Sequence, residues 1–301
     1  MIILDKIEFY EGGITLGMDN NCETKPYVKS PKSCSCKTSE GPGPFRTQAT
    51  FKNSEGRSVI WNSRYYRKHH SNLDKNLGSI WWAPSAVSWW IGILFAIGAI
   101  CFALGASQIY IKILNNAVSY EIFFIGSIFF TTAAFLQYLE SINAPIHLCR
   151  HIIEKLRLLT WEPRRIDWWS TLIQFGGTLF FNISTLAALQ SFLLVSNINY
   201  LVWSPDVYGS ICFLTASYLA WTEVGNGFWS LKPSNISWRI VALNLIGSIA
   251  FGVSAIASYV SPSTGLPISL TLTSLGTFTG AICFFLGAVF LLPERMMKNI
   301  N

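Results

Sequence analysis

Charge is the scarcest commodity in this chain: Asp, Glu, Lys and Arg make up 13% of its 301 residues, against about 25% in ordinary soluble domains. A conventional soluble fold is thereby excluded. The sequence also lacks G-x-x-x-x-G-K-[ST], H-E-x-x-H, G-x-S-x-G and G-x-G-x-x-G, the spacings that build phosphate cradles, zinc-protease helices, nucleophile elbows and dinucleotide turns. No catalytic residue, metal site or cofactor is assigned, and an enzyme is not expected. The opening residues MIILDKIEFYEGG break their apolar run at Asp5 and Lys6, too early for the apolar core of a secretory signal, so no cleaved leader is expected.

What is present is apolar, with 51% hydrophobic and 15% aromatic residues. Six segments approach the roughly 20 apolar residues that span a bilayer: Val87–Ala106, Tyr120–Leu139, Trp168–Leu189, Val207–Ala220, Trp238–Tyr259 and Leu272–Leu292. The fourth reaches spanning length only if Trp203 to Trp221 is counted, with Pro205 in its first turn, where proline is tolerated. The middles of these segments hold no Asp, Glu, Lys, Arg or His, which argues against proton relays and transport of charged substrates.

Residues 1–83 contain 12 of the 22 Lys and Arg. The second, fourth and C-terminal connections add 5, 2 and 2, whereas the first, third and fifth loops hold only Lys112. A bias of 21 to 1 predicts both termini in the cytoplasm of a bacterial inner (plasma) membrane protein. Residues 1–56, with SPKSCSCKTSEGPGPF, read as a mostly disordered polar tail. Residues 57–83, where Trp61, Tyr65 and Tyr66 alternate with cations, read as a basic aromatic segment on the membrane surface, facing anionic lipid head groups. Nucleic acid is not an expected partner.

The spans repeat. GSIFFTTAAFLQYLE (Gly126–Glu140) and GSICFLTASYLAWTE (Gly209–Glu223) match at eight of fifteen positions, and GAICFFLGAVFLLPE (Gly280–Glu294) keeps their Gly, Ile, Phe and final Glu. The helix before each has its own frame: Pro84, Pro163 and Pro233 precede Trp89, Trp168 and Trp238 by five residues, Gly98, Gly177 and Gly247 by fourteen, and Phe102, Phe181 and Phe251 by eighteen. Ser88, Asp167 and Ser237, four after each proline, suit helix N-caps, and the tryptophans suit interfacial anchors. Gly and Phe four apart share a helix face, so helix–helix contact is expected there. The expected fold is an all-α membrane bundle of six transmembrane helices, built as three tandem hairpins with approximate three-fold pseudo-symmetry. The hairpins occupy 84–142, 161–225 and 226–295, with an interfacial helix at 143–160 and a short cytoplasmic tail at 296–301.

Paired spans with G-x-x-x-F in the first helix and G-S-I-x-F in the second resemble the YrhK-like domain of bacterial membrane proteins over roughly residues 57–295. The resemblance implies a membrane module and assigns no catalytic or binding residues. A mitochondrial carrier is excluded, because the P-x-[DE]-x-x-[KR] motif of its odd helices does not occur.

Glu140, Glu223 and Glu294 end the three even helices, where the helix dipole disfavours a carboxylate. Two readings remain open: each pairs with a nearby cation such as Arg164, Arg165, Lys232 or Arg239, or together they form a ring guarding a pore. Gln174 and Asn244 share a repeat position, and with Asn182 they are expected to make interhelical hydrogen bonds. His147 and His151, with Cys149 and Glu154, have metal-compatible spacing, but Leu148, Ile152, Leu156 and Leu159 form an amphipathic stripe that accounts for the segment without a metal. Cys22, Cys34 and Cys36, and His69 and His70, lack zinc-site spacing; Cys101, Cys149, Cys212 and Cys283 read as small hydrophobes. The reading that follows is a structural or accessory membrane protein engaging anionic lipid, a protein partner or a second copy of itself. The alternative is a passive channel or permease for a small neutral solute along the repeat axis.

Overall fold

Apolar runs of this length can satisfy their backbone N–H and C=O groups in lipid only by coiling into helices. The computed structural model describes residues 35–52, 58–70, 79–107, 116–144, 156–190 and 195–296, and the long elements among them are helical. These are α2 (Val87–Ala106), α3 (Asn116–Asn143), α4 (Ile166–Ala188), α6 (Ser204–Gly225), α7 (Ile236–Ala257) and α8 (Leu270–Glu294). A short helix α5 (Val195–Ile198) and a π-helical turn (Asn199–Trp203) lead into α6. Five of the helices, α2, α3, α4, α7 and α8, are long and apolar enough to cross a membrane, which marks a multi-pass membrane protein. Helix α6 is as long as α7 but carries Asp206 and Glu223. Pro205 is the second residue of α6, directly after the π-helical turn, where the Ser204 N–H donates to the Asn199 carbonyl.

Each long helix packs on its neighbours in the order α2, α3, α4, α6, α7, α8, and α8 returns to α2. Glycine sets the closeness of these contacts. A Cβ on Gly126 would lie 2.7 Å from Cys101 Cβ and 2.9 Å from Phe102, while one on Gly98 would lie 3.1 Å from Phe130. The same reciprocal fit joins Gly177 to Phe213 and Gly209 to Phe181, and Gly247 to Phe284 and Gly280 to Phe251. Within each hairpin, then, the phenylalanine of one helix occupies the space that the other helix's missing side chain leaves.

The loops entering α2, α4 and α7 are tied down alike. The indoles of Trp89, Trp168 and Trp238 donate to the carbonyls of Trp81, Thr160 and Ser230, each eight residues earlier, at 2.9, 3.0 and 2.9 Å. Trp90 Nε1, Trp169 Nε1 and Arg239 Nε donate to the carbonyls of Pro84, Pro163 and Pro233. Trp89 and Trp168 are consequently buried. The exposed tryptophans are Trp81, Trp82, Trp90, Trp161 and Trp229. The capping expectation changes. Ala86, Arg165 and Asn235 occupy the N-cap positions, and only Asn235 caps with its side chain, accepting from the Ser237 and Trp238 N–H groups.

The N-terminal segment departs most from expectation. Residues 35–52, expected within a disordered tail, contribute β1 (Ser35–Glu40) and β2 (Gln48–Lys52), which pair antiparallel with each other and with β3 (Ser58–Asn62) in the order β1-β2-β3. The fold is therefore mostly helical rather than all-α. The physical reason is docking, which supplies the burial that the strands' own composition does not. Ala49 and Trp61 face each other across β2 and β3 and are buried with Tyr66 against them. Arg46 N–H donates to the Arg164 carbonyl at 3.2 Å, and the Thr47 hydroxyl bonds the Asn226 side chain. Asn226 is the left-handed residue that ends α6 (φ 53°), a conformation asparagine tolerates. A turn between β1 and β2 has Gly43 at φ 58° and the Phe45 N–H donating to Pro42 O.

Candidate functional site: a buried cluster of carboxylates and cations

Helix α1 (Ser63–His70, SRYYRKHH) follows β3 directly. Asn62 Oδ1 accepts the Tyr65 N–H at 3.1 Å, which fixes its first turn. Arg64, Arg67 and Lys68 sit at i, i+3 and i+4, so one face of α1 carries three cations. Tyr65 and His69 stack at 4.2 Å elsewhere on the helix, and His69 Nδ1 contacts the Tyr65 carbonyl at 2.8 Å.

The cationic face meets the ends of α3, α6 and α8. Arg64 Nε and Nη2 donate to the two Glu294 carboxylate oxygens at 2.6 and 3.1 Å. Arg67 Nη2 donates to Glu223 Oε2 at 3.1 Å, and its Nη1 lies 3.2 Å from Asp167 Oδ2. Lys68 Nζ donates to Glu140 Oε2 at 2.6 Å, and the Ser63 hydroxyl donates to Glu223 Oε1 at 2.7 Å. All these groups are buried, Glu140 completely. Glu140, Glu223 and Glu294 therefore each have a cation on α1, where proximity in sequence had pointed to Arg164, Arg165, Lys232 or Arg239. For the same reason Arg64, Arg67 and Lys68 face the chain's own carboxylates rather than lipid head groups.

A third arginine, at the start of α4, joins the cluster. Arg165 bonds both oxygens of Asp167, reaches Glu162 Oε2 at 2.7 Å and donates to the Ser141 carbonyl at 2.7 Å. Four buried carboxylates, Glu140, Asp167, Glu223 and Glu294, thus face four buried cations, Arg64, Arg67, Lys68 and Arg165. Charges out of water persist only when so matched. Burial disfavours the charged form of Arg67, but Glu223, Asp167 and Glu140 more than offset it and raise its pKa above the ordinary arginine value. Arg165 behaves likewise: the cost of burial is outweighed by Asp167 and Glu162.

Beyond the charged layer the middle of the bundle is aromatic. Phe130, Phe213 and Phe284 form one triangle of rings with centroids 6.3, 6.2 and 5.6 Å apart. Phe102, Phe181 and Phe251 form a second, with separations of 6.4, 5.9 and 6.1 Å. The triangles join at 5.2, 5.1 and 5.2 Å through the pairs Phe102–Phe130, Phe181–Phe213 and Phe251–Phe284. All six rings are buried in one apolar cluster.

The polar residues expected within the spans are not brought together. Asn182 Nδ2 donates to Thr131 Oγ1 at 2.9 Å, the interhelical bond expected of it. Asn244 Oδ1 instead packs where a Cβ on Gly287 would come within 2.5 Å of it, and Gln174 is half-buried with no hydrogen bond among the described residues. Hydroxyls do much of the interhelical bonding: Ser127 with Thr185, Ser141 with Thr171, Ser217 with Ser248 and Ser254 with Thr277, at 2.7–3.0 Å. His147, Cys149, His151, Glu154, His70's side chain and Cys22 and Cys34 lie outside the described residues, as does most of the expected 143–160 helix. Among the described residues no cluster of three His, Cys, Asp or Glu has metal-binding geometry. Sequence reasoning missed the role of α1; the spacing of Arg64, Arg67 and Lys68 was the available signal.

Comparison with protein-family models, curated proteins and solved structures finds no match to this chain.

Proposed function

We propose that this chain is a non-enzymatic multi-pass membrane protein with a structural or accessory role, its six long helices forming three hairpins about an approximate three-fold axis. In this reading α6 is the sixth span, both termini are cytoplasmic, and the sheet and α1 form a cytoplasmic cap. The bias of 21 Lys and Arg against one supports the orientation. The hairpin likeness to the YrhK-like domain belongs to the same proposal, as does engagement of anionic lipid or a protein partner by the remaining basic surface.

The observation that carries the reading is the filled axis. Two interlocked phenylalanine triangles occupy its middle, and the carboxylates at one end are neutralised by α1. A passive permeation path would need an open route past Gln174, Asn182, Asn244 and the glutamates, and these are separated and packed. Purified protein in liposomes is expected to pass neither small neutral solutes nor ions above the empty-vesicle rate. Solute flux that rises with protein content would overturn the proposal in favour of a channel. Single-cysteine labelling from either side of the membrane tests the orientation, with positions in 35–52 expected to react only from the cytoplasm.

A further inference from the structure

At the end of the aromatic layer remote from α1, the bundle leaves a small cavity of about 20 Å³, room for a single water-sized particle. The rings of Phe102, Phe181 and Phe251 close it toward the middle of the bundle, and its polar lining is Asp206, Ser210, Ser254 and Thr277. Three features set it apart. Asp206 has no hydrogen bond or ion pair among the described residues, unlike the four carboxylates at the opposite end. Ser210 is 4% exposed and its Oγ has no hydrogen-bond partner among the described residues, an unusual state for a buried hydroxyl. Ser254 Oγ, itself buried, bonds Thr277 Oγ1 at 2.7 Å and the Thr273 carbonyl at 2.8 Å, which holds these oxygens in place beside the opening.

The alignment of the even helices shows how the cavity arises. Three residues before the shared glycine stand Phe123, Asp206 and Thr277. In the first hairpin the Phe123 ring fills the space, lying 5.3 Å from Phe102 and within 3 Å of where a Gly105 Cβ would sit. The other two hairpins replace that ring with a carboxylate and a hydroxyl. An apolar plug at one position of the frame has become an oxygen-lined pocket at the other two.

We propose that this cavity binds one dehydrated alkali-metal cation, with the Asp206 carboxylate supplying the charge and Ser210, Ser254 and Thr277 supplying neutral oxygens. The donor set is all oxygen, which suits hard cations rather than zinc or copper. A single carboxylate in a low-dielectric setting balances one positive charge, so a monovalent ion fits and a divalent ion leaves an uncompensated charge. The cavity size admits the ion only without its water shell, and the aromatic floor stops it from passing further. The site is therefore a dead-end pocket, independent of whether the protein conducts anything.

The test uses the full-length protein in detergent at about pH 8, on the alkaline side so as to favour the carboxylate form. Thermal unfolding is followed while sodium or potassium chloride replaces choline chloride at constant ionic strength. The expected result is a saturable rise in Tm with sodium, potassium or both, the two arms identifying the preferred ion. Asp206→Asn should abolish the rise, and Ser210→Ala should raise the half-saturating concentration about tenfold, the loss of one modest ligand. An equal Tm across all three salts would overturn the proposal and leave a water bound by a protonated carboxyl as the occupant. If Asp206→Asn does not fold, Ser210→Ala decides: a cation response unchanged from wild type overturns the site.

Discussion

Arg67 Nη2 lies 3.1 Å from Glu223 Oε2, joining two buried residues 156 positions apart in sequence, and the same guanidinium reaches Asp167 at 3.2 Å. One side chain of the N-terminal cap is thereby tied to the end of α6 and the start of α4. The cap's attachment is ionic at its centre, with Arg64 and Lys68 repeating the contact at α8 and α3.

Removing one partner of this pair strands a buried charge. Arg67→Ala is expected to destabilise the protein by about 3–5 kcal/mol, the range for breaking a buried ion pair. Arg67→Lys should restore only part of that, because one ammonium does not span both carboxylates as the planar guanidinium does. Replacing the pair with apolar residues, Arg67→Met with Glu223→Leu, should be milder than Arg67→Ala alone. Thermal unfolding in detergent gives the order; a single variant no worse than the double one would refute the ionic account.

Alkaline pH should not release this arm. Glu223, Asp167 and Glu140 hold the Arg67 pKa above the usual arginine value despite burial. A cation whose pKa is raised in the folded state contributes stability that is fully present below its unfolded pKa and lost only as pH climbs through the folded one. For arginine that window begins above about pH 12. Unfolding midpoints of wild type and Arg67→Met should therefore keep a constant gap between neutral pH and about pH 10; a gap that narrows over this window would contradict the pairing.

Much of the helical frame was legible because its signals are local or periodic. The apolar runs, the proline–tryptophan spacing and the Gly-x-x-x-Phe faces each fall within one helix or its entrance, and the reciprocal Gly126–Phe102 and Gly98–Phe130 fits follow from them. The partners of Glu140, Glu223 and Glu294 were not legible, because nearness in sequence favoured Arg164 or Arg239 while the actual cations lie 72 to 230 residues away. The strands were hidden for a related reason. GPGPF and its polar flanks bury little by themselves, and Ala49 and Trp61 become core residues only once β2 and β3 pair.

The glycine contacts make a sharp comparison. A Cβ on Gly280 would stand 2.5 Å from Phe251 Cδ1 and 2.9 Å from the Gly247 carbonyl, whereas one on Gly176 meets nothing within 4 Å. Gly280→Ala should cost about 1–3 kcal/mol through overpacking, while Gly176→Ala should be neutral or slightly stabilising, since alanine is the better helix former. Equal melting temperatures for the two variants would show that the hairpin seam is looser than these distances require.

The aromatic layer separates packing from permeation. Phe130 touches both triangles: its ring lies 5.2 Å from Phe102, 6.3 Å from Phe213 and 6.2 Å from Phe284. Phe130→Ala removes a ring that packs against Gly98 and Phe95 as well as against both triangles, and the surrounding rings hold one another in place, so collapse is restricted and a cavity remains. The expected loss is about 3–5 kcal/mol. A cavity lined by phenylalanine and alanine stays dry, so the variant should be less stable yet as impermeable as wild type in liposomes. Adding Phe213→Ala and Phe284→Ala opens a whole triangle, but the charged layer held by α1 still closes that end. Flux should stay at the wild-type level even when the triple variant is combined with Arg67→Ala, because the rings of Phe102, Phe181 and Phe251 still close the axis. Flux in Phe130→Ala alone would mean that one ring is the gate and that the ionic layer seals nothing.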